Sequence, residues 1–98
     1  MKTNEELKTL FLENASMGAM SSLQLAMLDE AVELYMSGNV SSGGSPTDTL
    51  IFAFRQLEAT MQGAIEGLLA SQSDADSITL DYRGKKFDIR KDGSVVAI

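Results

Sequence analysis

The sequence predicts an α+β fold: a short N-terminal helix plus an antiparallel helical hairpin, followed by a C-terminal three-stranded antiparallel β-meander packed on the helices. Three observations carry that prediction. Apolar residues recur at intervals of three and four through position 72, and from Ser77 onward they alternate. Two glycine-containing turn signals, Arg83-Gly84 and Asp92-Gly93, divide the alternating stretch into three. With 98 residues, 44% of them hydrophobic, and one proline, the chain suits a single domain over 1–98, helical over 1–72 and sheet-forming over 77–98.

The helices follow from their caps and spacing. Thr3 with Glu6 three residues on makes a capping box, and Leu7, Leu10 and Phe11 follow at helical intervals, which predicts a first helix over Asn4–Asn14. Ser21 with Gln24 repeats the signature and opens a second helix over Ser22–Ser37, stopped by Gly38-Asn39. On its wheel Asp29, Glu30 and Glu33 share one side. Leu23, Leu25, Met27, Leu28, Ala31, Val32, Leu34, Tyr35 and Met36 span more than half of the circumference, so this helix needs cover on two sides.

Residues 37–45, rich in serine and glycine, form a connector. Ser45 as N-cap, Pro46 at the first helical position and Asp48 at the third then start a long helix over Pro46–Ser71. Leu50, Phe54, Leu57, Met61, Ala64 and Leu68 form its seam against the second helix. A second row, Ala59, Gly63, Gly67 and Ser71, places small side chains four residues apart. Each mid-helix glycine costs about 0.5–1 kcal/mol relative to alanine unless close approach uses it. The first expected use is internal packing against the first helix or the sheet, and the second is a subunit interface.

In the meander, an Arg83-Gly84 turn sets Leu80 opposite Phe87, Ile78 opposite Ile89 and Asp81 opposite Lys86. Asp92-Gly93, read as a two-residue turn, pairs Lys91 with Ser94 and sets Ile89 opposite Val96 and Phe87 opposite Ile98. The core face is then Ile78, Leu80, Tyr82, Phe87, Ile89, Val96 and Ile98, with Val95 and Ala97 on the other side. In that register Val96→Asp would collapse the core.

Composition removes much chemistry. With no cysteine and no histidine there are no disulfides, thiolate nucleophiles or imidazole bases, and most transition-metal sites are excluded. No catalytic residue, cofactor or metal ligand is assigned. Asp29, Glu30 and Glu33 could pose as an acid–base pair or a magnesium site, but a solvated acidic face is the expected role. The serine- and glycine-rich loop before Pro46 lacks the lysine of a phosphate loop, and Asp48 sits where an anion would go. Asp74-Ala75-Asp76-Ser77 opens like a calcium loop but has Thr79 and Lys85 where glycine and glutamate belong. The methionines are expected to fill the core, with a partner groove as their second use.

Charge divides the chain. Residues 1–76 carry three cations against eleven acids, a net of −8, and residues 77–98 carry five against three, a net of +2. The acidic body repels phosphate backbones, so direct nucleic-acid binding is not expected. No apolar run is long enough for a membrane span and no signal-peptide pattern opens the chain, which points to the cytoplasm.

The function these features suggest is a non-enzymatic, self-associating protein-interaction module, an adaptor, assembly factor or regulator, that forms a dimer or larger assembly and binds a protein partner. Ala59, Gly63, Gly67, Ser71, Leu28, Val32, Val95 and Ala97 are its interface candidates, and Asp29, Glu30 and Glu33 its acidic surface. Two alternatives stand beside it. One is a small acidic inhibitor of bacterial or phage type that mimics nucleic acid to block a basic surface. The other is a small-ligand binder with pockets between subunits.

Overall fold

The computed structural model describes residues 2–41 and 43–98. Met1, the start of the signal-peptide reading, and Ser42 of the connector lie outside the described residues. The order is α1 (Asn4–Asn14), α2 (Ser22–Met36), α3 (Pro46–Ser71), β1 (Ser77–Tyr82), β2 (Lys85–Arg90) and β3 (Val95–Ala97). Helices followed by an antiparallel meander packed on them give the expected α+β fold.

All three helices start where a side chain takes up a free amide. Thr3 Oγ1 accepts from Glu6 N at 3.2 Å while Glu6 Oε1 accepts from Thr3 N at 3.0 Å. Ser21 and Gln24 repeat the exchange at 3.1 and 2.9 Å. Ser45 Oγ accepts from Asp48 N at 3.2 Å, directly before Pro46.

The core lies where α2 meets its neighbours. Leu7 and Phe11 of α1, Leu28 and Val32 of α2, and Leu50 and Phe54 of α3 are fully buried, and Ile78, Phe87 and Ile89 close it from the sheet. Phe11 and Phe54 stack with ring centroids 4.9 Å apart at 54°. α2 touches α1, α3 and β3, which accounts for its wide apolar arc. A single chain thus covers most of that arc, leaving Leu25 and Met36 as the large exposed hydrophobic residues on α2.

The seam on α3 holds over its first half. Leu50 and Phe54 are buried, Leu57, Met61 and Leu68 are partly covered, and Ala64, expected in the seam, is exposed. α1 is only 11 residues long and α3 has 26, so the far half of the long helix outruns its cover. The molecule measures 48 × 25 × 21 Å, and α3, about 39 Å long at about 1.5 Å per residue, accounts for most of its long axis.

The first hairpin has the expected register: Ile78 opposite Ile89, Leu80 opposite Phe87 and Asp81 opposite Lys86. Arg83 and Gly84 both have positive φ, 54° and 77°, as a two-residue hairpin turn of right-handed strands requires. The second hairpin corrects the sequence reading by one residue. Ile89 lies opposite Val95, Asp88 opposite Val96 and Phe87 opposite Ala97. The loop has three residues, not two: Gly93 N donates to Arg90 O at 2.9 Å and Arg90 N to Ser94 O at 3.0 Å, with Gly93 left-handed at φ 90°. Asp92 Oδ1 accepts from Ser94 N at 2.8 Å and supports this turn. Since side chains alternate, a slip of one reverses the strand's faces. Val95 turns toward the core and Ala97 shares its face, whereas Val96 and Ile98 face away, 46% and 75% exposed.

Candidate interaction surfaces

The small-residue row is not used for internal packing. Ala59, Gly63, Gly67 and Ser71 are all exposed, and a Cβ added at Gly63 or Gly67 meets nothing within 4 Å. At about 100° per residue, they share an arc of roughly 140° with Gln56, Thr60, Ala64 and Ala70. All eight are exposed and none is charged; Asp48, Arg55, Glu58 and Glu66 fall outside the arc. Exposed helix faces normally carry charge, so a long neutral one that spends two glycines is unusual for a surface left to water. Leu28 and Val32, the α2 interface candidates, are each 1% exposed and lie in the core of the single chain.

The three carboxylates of α2 are engaged within the chain. Lys8 Nζ of α1 sits 2.6 Å from Asp29 Oδ1. The Tyr82 hydroxyl of β1 donates to Glu30 Oε2. Arg83 in the β1–β2 turn grips Glu33 with two bonds, at 2.8 and 2.6 Å. Adjacent residues on a helix diverge by about 100°, so Asp29 and Glu30 reach neighbours on different sides of α2. What looked like one acidic face is a set of ties from α2 to α1 and to the first hairpin.

These ties set the pH response. Burial first, and then the bond to Glu30, pushes the Tyr82 phenol well above its ordinary 10.0. An unfolded chain gives up that proton before the folded one does. The contribution is therefore complete below about pH 10 and is lost as the pH climbs beyond it. Arg83 holds the Glu33 carboxyl below its ordinary 4.5, so that contribution is present above this pH and lost as the pH falls through the lowered value. Tyr82→Phe is expected to cost about 1–2 kcal/mol at neutral pH and to flatten the alkaline loss. Thermal melts of both proteins from neutral pH upward check this, and an unchanged alkaline slope in the variant would refute the role given to this bond.

A groove of ≈ 410 Å³ opens between the start of α2, the middle of α3 and the β2–β3 turn. Leu23, Met27, Met61, Ile65 and Val95 supply its apolar lining, and Gln24, Glu58, Gln62 and Ser94 its polar part. Gln24 Nε2 donates to Glu58 Oε2 at 3.1 Å across it. Met27 is buried in the core and Met17, Met20 and Met61 pack partly buried against it, the core-filling use expected first, while Met27 and Met61 also reach this groove. The groove itself was not foreseen, because its lining comes from three elements whose juxtaposition no local spacing encodes.

Before α3, the Asp48 carboxylate lies against Gly44, where an added Cβ would meet Oδ2 at 2.9 Å, so the loop presents an anion where a phosphate cradle presents amides. Asp76 O accepts from Lys91 N at 3.4 Å, and Ser73 O from Lys91 Nζ at 2.6 Å, which ties the linker to the second turn. Among the described residues no three acids converge as metal ligands, and no helix is long and apolar enough to cross a membrane. No family model, curated protein or solved structure matches the chain.

Proposed function

We propose that this protein is a non-enzymatic, self-associating interaction module of the cytoplasm, an adaptor, assembly factor or regulator, whose copies meet through the far half of α3. The observation that carries this reading is the open neutral face around Gly63 and Gly67. Helices approach closely where side chains are small, and a face without charge offers a second copy no repulsion. The engagement of Asp29, Glu30 and Glu33 inside the chain takes these three out of the acidic surface that charge mimicry would use, leaving it to scattered acids such as Glu13, Glu66, Asp74 and Asp76.

Light-scattering mass at low and high salt tests it. The expected mass is a multiple of 10.5 kDa that salt does not reduce, since apolar helix contact is little screened. Gly63→Leu supplies the control. In an isolated chain the new side chain meets empty space and removes a glycine from a helix, which adds up to about 1 kcal/mol of stability. In the assembly it wedges the helices apart. A mass of one chain with the fold retained is expected of the variant, and its melting temperature should no longer rise with protein concentration as the assembly's does. A wild type that is itself a single chain at every concentration would end the proposal.

A further inference from the structure

The groove between the start of α2, the middle of α3 and the β2–β3 turn holds one charged side chain, the half-buried Glu58, beside the apolar Leu23, Met27, Met61 and Ile65. No lysine or arginine lines it, and among the described residues Glu58 forms no ion pair. Arg55, three residues earlier on α3, is exposed, and Arg90 at the end of β2 lies 3.8 Å from Asp88. Glu58 is held instead by a neutral group. Gln24 Nε2 donates to Glu58 Oε2 at 3.1 Å, and Gln24 Oε1 accepts from Ser21 N at 2.9 Å in the α2 capping box, so turning this amide away breaks both bonds. The second carboxylate oxygen, Oε1, is left for a group from outside the chain. An anion fixed beside apolar surface attracts a cation more strongly than one in open water, because the local dielectric is lower. A volume of ≈ 410 Å³ suits a small molecule, since ligand sites run from about 300 to 1,000 Å³ and combine an apolar lining with a few placed polar groups.

We propose that this groove binds a small organic amine, its apolar body against Leu23, Met27, Met61 and Ile65 and its protonated amino group on Glu58 Oε1. The carboxylate selects a cation over a neutral analogue, and Gln24 is a positioning residue that keeps the carboxylate at the groove. An acid of the same size is rejected, because it brings a second negative charge beside Glu58 with no cation in the lining to receive it. At about 100° per residue, Met61 and Ile65 lie roughly 160° around α3 from Gly63, so the groove and the open neutral face are on opposite sides of the helix. The site stands whether or not the protein self-associates.

The probes are phenylbutylamine, phenylbutanol and phenylbutyrate, which share one apolar body and differ in charge, titrated at pH 7 while the methionine methyl resonances are followed. The amine is expected to shift the methyls of Met27 and Met61 and to bind about tenfold more tightly than the alcohol, with the acid weakest. Glu58→Gln is expected to bring the amine down to the level of the alcohol and to leave the alcohol unchanged, which separates loss of charge from loss of the groove. Met61→Lys supplies a cation from the chain itself, three residues beyond Glu58 on the same helix, and is expected to abolish amine binding with the fold retained. Absence of amine binding, equal binding of amine and alcohol, an unchanged preference in Glu58→Gln, or shifts confined to other methionines would overturn the proposal.

Discussion

Phe54→Ala is expected to lower stability by about 3–5 kcal/mol, a large share of the roughly 5–15 kcal/mol that holds a domain of this size. Phe54 is fully buried, it packs on Phe11 of α1, and it sits where α1 and α2 both contact α3. Removing the ring leaves a void that three elements would have to collapse to fill, and α1 loses its main anchor on the long helix. Phe52, two positions earlier, is 42% exposed, and Phe52→Ala is expected to change stability by less than about 1 kcal/mol. Urea unfolding of the two variants measures the contrast at the transition midpoint. Similar midpoints would mean that α1 is not packed over α3 as described.

Ile89→Asp is expected to prevent cooperative folding, whereas Val96→Asp is expected to fold with nearly native stability. Ile89 is buried against the helices on the central strand, and a carboxylate there has no partner. Val96 faces solvent one strand away. The alternative register, with Val96 opposite Ile89, predicts that both substitutions are disruptive. Thermal unfolding by circular dichroism separates the two, and a molten Val96→Asp would restore the two-residue turn.

The helices were legible because their boundaries are written locally. Thr3–Glu6, Ser21–Gln24 and Ser45-Pro46 each mark a start within four residues, and the structure begins its helices there. The first hairpin was legible for the same reason, since Arg83-Gly84 and the apolar alternation on both sides agree. The second was misread because Asp92-Gly93 serves both a two-residue loop and a three-residue loop ending in glycine. The strand after it, Val95-Val96-Ala97, has no polar residue to mark which face is wet. The surfaces were harder still. The row on α3 was visible as a pattern, but whether another element covered it depended on where α1 ends in space. The bonds of Glu30 to Tyr82 and of Glu33 to Arg83 join residues about fifty positions apart, and no spacing rule announces them.

The unequal cover along α3 also sets how firmly its turns are held. Near Phe54, unwinding a turn means opening the core; toward Ser71 it means parting only the partly buried Ile65, Leu68 and Leu69 from their neighbours, in a stretch already weakened by two glycines. The long helix is a spar clamped at one end, its resistance to local opening falling along its length. A partner seated on the bare end would do more than bind there: it would stiffen the part of the molecule that opens most readily.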